Sequence, residues 1–135
     1  MMIFTPLIML AAAASPNPDW NCDEPMVQQE MNWCAHQDYL AADAEMNAQW
    51  AKTSAIQKER DEQWSDGHGN VDDGQPGFFQ TMLDAQRAWI AFRDAHCSSE
   101  GYYARGGTLE PLLVSSCKAT LTRERTAQLA GLIVS

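Results

Sequence analysis

The chain has 135 residues, 45% of them apolar and 20% charged, with a formal net charge of −9. This composition is too apolar for a disordered chain, and the length suits one domain with a modest core. The acidity disfavours nucleic acid and anionic lipid as partners and favours a cationic one.

Met1 to Ala14 reads as an export signal. Its apolar run, Ile3 to Ala14, ends in Ala12-Ala13-Ala14, a small-x-small cleavage pattern, although no Lys or Arg precedes the run. The run falls short of the ~20 apolar residues a spanning helix needs. Cys22 follows Asp19-Trp20-Asn21, where a lipoprotein cysteine would follow small or apolar residues. The expectation is a periplasmic or secreted protein without a membrane anchor, with one domain over residues 15–135.

Pro16 and Pro18 predict an irregular lead-in. From about Gln28 the pattern turns helical: Met31, Ala35, Tyr39, Ala42, Met46, Trp50, Thr53 and Ile56 share one face. This first helix runs to about Trp64, near 37 residues, which is long for a globular helix. Ser65 to Gly77 is rich in Gly, Asn, Asp and Pro and predicts a linker. Its Asp66, Asn70, Asp72 and Asp73 do not have the alternating oxygens, sixth-position Gly and twelfth-position Glu of a calcium-binding loop.

The second helix starts at Phe78 and includes the dense helix-forming run Ala85 to Cys97. Two neighbouring rows, Phe78-Met82-Ala85-Trp89-Phe92-His96 and Phe79-Leu83-Ile90-Cys97, predict a broad apolar face and a helix at the centre of the domain. Arg93 lies beside these rows, where a buried guanidinium needs a partner, and Asp43 of the first helix is the carboxylate expected to supply it. Ser98 to Gly107 reads as a loop. Thr108 then reads as the N-cap of a third helix, with Leu109, Leu113, Cys117, Leu121, Leu129 and Leu132 near one face and Arg125 intruding on it. The fold expected is all-α, a disulfide-stapled three-helix antiparallel bundle of up-down-up form.

Four cysteines behind an export signal read as two disulfides. The spacing contains no CxxC and does not suit zinc. Depth along the helices permits Cys34–Cys117 with Cys22–Cys97 as readily as the local pairs.

The runs MNWCAHQDYLAADAEMN (31–47), AQRAWIAFRDAHC (85–97) and GGTLEP, then a cysteine and LTRERTAQL (106–129), together resemble the LprI-type lysozyme-inhibitor domain. That family comprises small secreted or periplasmic bacterial proteins. The resemblance covers most of the chain beyond the export signal and is thinnest between Lys52 and Gly77. It implies the local disulfides Cys22–Cys34 and Cys97–Cys117, because shorter relatives keep only the first two cysteines. It also implies a protein-binding module that inhibits lysozyme, and the strong acidity points to direct binding of a basic c-type lysozyme through an acidic surface. The alternative is an envelope structural or stress-related interaction module without lysozyme affinity.

Charge placement bears on both readings. No Lys or Arg precedes Lys52, whereas seven acids do: Asp19, Asp23, Glu24, Glu30, Asp38, Asp43 and Glu45. Residues 86–135 carry six basic residues against four acids. Either the two halves pair within one bundle, or an acidic face is offered to a basic protein. The contact candidates are the stretch Asp23 to Glu45 and the linker residues Asp66, His68, Asp72 and Asp73. An enzyme is not expected. No HExxH, phosphate loop or nucleophile elbow occurs, oxidised cysteines supply no thiolate, and no cofactor or metal is implied.

Overall fold

The computed structural model describes residues 15–67 and 73–134, with side chains for all of these except 65–67. Helix α1 spans Gln28–Gly67, α2 spans Phe78–Gly101 and α3 spans Glu110–Gly131, with a 3-10 turn at Tyr102–Ala104. No strand occurs among the described residues. Neither Gly nor Pro interrupts α1 before Gly67, so its 40 residues continue as one helix of about 60 Å at 1.5 Å per residue.

Cross-helix pairs advance together along α1 and α3. The Asn32 amide donates to the Thr108 carbonyl, Arg123 to Asp38, the Thr53 hydroxyl to the Leu129 carbonyl, and Arg60 to the Leu132 carbonyl. These two helices are therefore parallel. Helix α2 runs against both, with Phe79 beside Trp50, Gln86 beside Met46 and Cys97 bonded to Cys117. The result is an up-down-up three-helix bundle. Its staples are Cys22–Cys34, 12 residues apart, and Cys97–Cys117, 20 apart.

The apolar core takes one residue from each helix, Met46, Met82 and Leu129, with Trp50, Phe79 and Trp89 packed around them. Within the row expected on α1, Ala42, Met46 and Thr53 are buried and the rest are half-buried. Its opposite face is a run of exposed alanines at 41, 44, 48, 51 and 55.

Three expectations need correction. First, α2 is not the centre: the broadest packing is between α1 and α3, and α2 lies mainly on α3. Second, its inward stripe is Met82, Gln86, Arg93 and Cys97, while Phe92 is 57% exposed and His96 is also exposed. Apolar periodicity missed this rotation because the polar members of the stripe find partners across the bundle. Arg125 donates to the Gln86 amide oxygen, and Arg93 donates to Thr122. Third, α2 runs on to Gly101, through the first four residues of the expected loop, and α3 begins without Thr108 as its cap. Leu109 stands at the N-cap position with helical backbone angles, and the Glu110 carboxylate reaches back to the Gly106 N–H at 2.6 Å. The Thr108 carbonyl serves Asn32 instead.

Candidate functional site

Three of the seven acids of the first fifty residues, Glu30, Asp38 and Glu45, are committed to internal contacts. Glu30 is buried and accepts the backbone N–H groups of Met26 and Asn21. Those two bonds, Met26 first, hold its carboxyl below the usual range. Asp38 takes both ends of the Arg123 guanidinium at 2.7 and 2.9 Å, and this pairing lowers its pKa; Glu45 lies 3.9 Å from the same arginine. The acidic first half and basic last half thus meet across the α1–α3 seam.

Asp43 does not pair with Arg93, which corrects that expectation. Its carboxylate accepts from Asn47 at 3.3 Å. Arg93 is 6% exposed, with Nε 3.0 Å from the Asp94 carboxylate and Nη1 3.3 Å from the Thr122 hydroxyl. Its guanidinium sits between the rings of Trp89 and Tyr39, 5.1 and 5.4 Å from their centroids. Two aromatic faces and an acid one residue along the chain supply what a carboxylate on α1 was expected to supply. Burial pushes the Tyr39 hydroxyl up.

Negative charge is dense along one stretch of the sequence: residues 59–84 hold Glu59, Asp61, Glu62, Asp66, Asp72, Asp73 and Asp84 against Arg60, seven minus one, a net of −6. Among the described residues, Lys58 over the Phe79 ring and Arg125 near Asp61 lie where α1 ends and α2 begins and offset part of it. The last turn of α1 carries no basic residue, so the helix dipole adds its negative end there. Of the linker candidates, Asp73 is exposed and accepts the Gln75 N–H at 2.9 Å. His68 and Asp72 lie outside the described residues, as does the side chain of Asp66.

The same end holds a cleft of about 440 Å³ that no sequence pattern announced. Trp64 and Phe78 stand edge to face in its wall, ring centroids 6.2 Å apart, with Met82 buried behind them, Leu132 as exposed as they are, and Gln57 and Arg125 among the polar members. The cleft exists because Asp61 of α1 caps α2. Its two oxygens accept the Phe78 and Phe79 N–H groups at 2.6 and 3.2 Å, and Gly77 leaves room for them: a Cβ there would fall 2.6 Å from Asp61 Oδ1. The only sequence signal was Arg125, a cation on an otherwise apolar row. At the other end His96, Glu100 and Cys117 present ligand-type atoms within 4.8 Å of one another, but the Cys117 sulfur is bonded to Cys97 and is no thiolate.

A family description, lysozyme inhibitor LprI, matches residues 21–129. The chain belongs to the LprI family. The LprI match takes in both bridges and all three helices but for the last two residues of α3. An uncharacterized protein of Rhizobium meliloti (strain 1021) is 43% identical over 125 residues, 93% of this chain and 86% of that protein. No solved structure matches the chain significantly.

Proposed function

We propose that the chain is an exported inhibitor that binds c-type lysozyme directly and acts as a binder, without catalysis. The observation that carries this reading is membership of a family described as lysozyme inhibitors, with the match spanning 21–129. Two features support it. The disulfides belong to an oxidising compartment, and no described helix is long and apolar enough to cross a membrane. In this reading residues 1–14 are a signal removed on export, and residues 15–135 form the working domain.

The contact is proposed at the acidic end: Asp73 with its linker neighbours Asp66, His68 and Asp72, and Glu59 and Glu62 on the last turns of α1. Within the candidate stretch Asp23 to Glu45, Glu30 and Asp38 are less available because they already have internal partners, whereas Asp23 and Glu24 are exposed. The net charge of −6 carried by residues 59–84, less what Lys58 and Arg125 offset, would steer a basic enzyme towards this stretch.

The test is lysis of bacterial cell walls by a c-type lysozyme, with purified oxidised chain titrated in at low and at physiological salt. Stoichiometric loss of lysis, weaker at higher salt, is expected. Charge reversal at Asp66, Asp72 and Asp73 together should weaken inhibition by at least tenfold, about 1.4 kcal/mol. Full lysis in the presence of excess chain would remove lysozyme as the partner and leave the envelope-module alternative.

A further inference from the structure

We infer that the cleft at the Gly67 end of the bundle binds a monocarboxylate with an apolar body, Arg125 taking the carboxylate and Trp64, Phe78, Met82 and Leu132 enclosing the rest. This site goes beyond the lysozyme reading and does not rest on it.

Arg125 is the observation that demands an explanation. Its Nε donates to Gln86 at 2.9 Å and its Nη1 to Gln128 at 3.1 Å, both neutral amide oxygens. Among the described residues no carboxylate lies within 4 Å of it, whereas Arg93 and Arg123 each have one. Burial pushes its pKa down with no acid to offset it. A guanidinium remains charged in any protein, so this half-buried cation is desolvated without a counter-charge. The two glutamines orient the fork, and Nη2 makes no hydrogen bond to the described residues. A carboxylate is the group whose geometry matches that fork.

The surroundings specify the rest of the ligand. The cleft volume lies within the ~300–1,000 Å³ typical of small-molecule sites, and Trp64, Phe78, Met82 and Leu132 give it an apolar side alongside polar members such as Gln57, Thr81 and Arg125. The two carboxylates that border it are directed elsewhere, Asp61 to the start of α2 and Asp73 to the Gln75 N–H.

The test is titration of the full oxidised chain with octanoate and with 1-octanol, a neutral counterpart of equal chain length, followed by NMR at the Arg125 Nε–H and the Trp64 indole N–H. Octanoate should bind saturably, one per chain, at least tenfold tighter than 1-octanol. Arg125→Gln should bring octanoate down to the level of 1-octanol and leave 1-octanol unchanged. Because Arg125 shares a hydrogen bond with Gln86, a second variant is needed that spares it. Ala85→Trp, at an exposed position lining the cleft, should fill the space and abolish both ligands. The inference is overturned by octanoate that does not saturate or binds no tighter than 1-octanol. It is equally overturned by octanoate binding that survives Arg125→Gln or Ala85→Trp.

Discussion

Arg93 brings a full positive charge into the middle of the bundle, and its replacement measures what holds it there. Truncation to Ala leaves Thr122 without its donor and Asp94 with only the Lys118 ammonium at 3.8 Å, and it opens space between Tyr39 and Trp89. Urea denaturation should show Arg93→Ala costing about 3 kcal/mol, and Arg93→Met distinctly less, because an apolar stem refills the gap between the rings. Glu30 and Asp38 set the acid limb of stability. Both have folded-state pKa values below those of the unfolded chain, Glu30 through backbone N–H donors and Asp38 through Arg123. Their contribution is therefore full above the unfolded values of about 4.3 and 3.9, and is lost as pH falls through the lower folded values. Between pH 5 and 2.5 the wild type should lose more stability than Glu30→Gln or Asp38→Asn. The Asp38 share is under about 1 kcal/mol, since the carboxylate is 55% exposed. At this scale the sequence marked Arg93 as a buried charge but not its partner. A search for a complementary acid on a facing helix passes over a neighbour in the chain and two aromatic rings.

Helices respond to substitutions according to how closely they approach each other. Gly101 ends α2 against α3, and a Cβ there would fall 2.5 Å from Val114 Cγ2. The β-branched valine has little freedom to turn aside, so Gly101→Ala should cost about 1–2 kcal/mol even though alanine is the better helix former. The bridges differ in the same way. Cys97–Cys117 joins two helices and both sulfurs are buried, whereas Cys22–Cys34 ties an exposed lead-in to α1. Thermal unfolding of the paired Cys→Ala variants should show about 3 kcal/mol lost without the first bridge. It should show less without the second, because the lead-in can detach while the bundle stays folded. Helix positions were legible because uninterrupted runs of helix formers stop at Gly67 and restart after Pro76. The inward face of α2 was not. Gln86 and Arg93 lie inside because of partners on α1 and α3, which residue spacing cannot reveal, so the large apolar side chain of Phe92 is left outside.

Across the whole molecule the net charge and its concentration in residues 59–84 were legible in the sequence, but the pairing that offsets acids of the first half was not. Asp38 and Glu45 meet Arg123 partway along the bundle, while the stretch from the end of α1 to the start of α2 stays rich in acids, with Lys58, Arg60 and Arg125 offsetting only part of them. Such asymmetry acts at a distance and therefore on encounter. Screening length falls from about 30 Å at 0.01 M salt to about 8 Å at 0.15 M, so on the proposed reading a basic lysozyme would be drawn in at low salt and would meet the chain almost unaided at physiological salt. Surface plasmon resonance over that range should show the association rate constant falling by at least tenfold, with dissociation changing less than threefold. Asp38→Asn should leave the association rate nearly unchanged, because that charge lies far from the acidic end and is already offset by Arg123. Asp73→Lys should lower it at low salt and converge with the wild type at high salt. If salt instead accelerated dissociation while leaving association flat, the acids would be acting inside the contact and not as a field around it. The electrostatic account of partner choice would then give way to one of direct ion pairs.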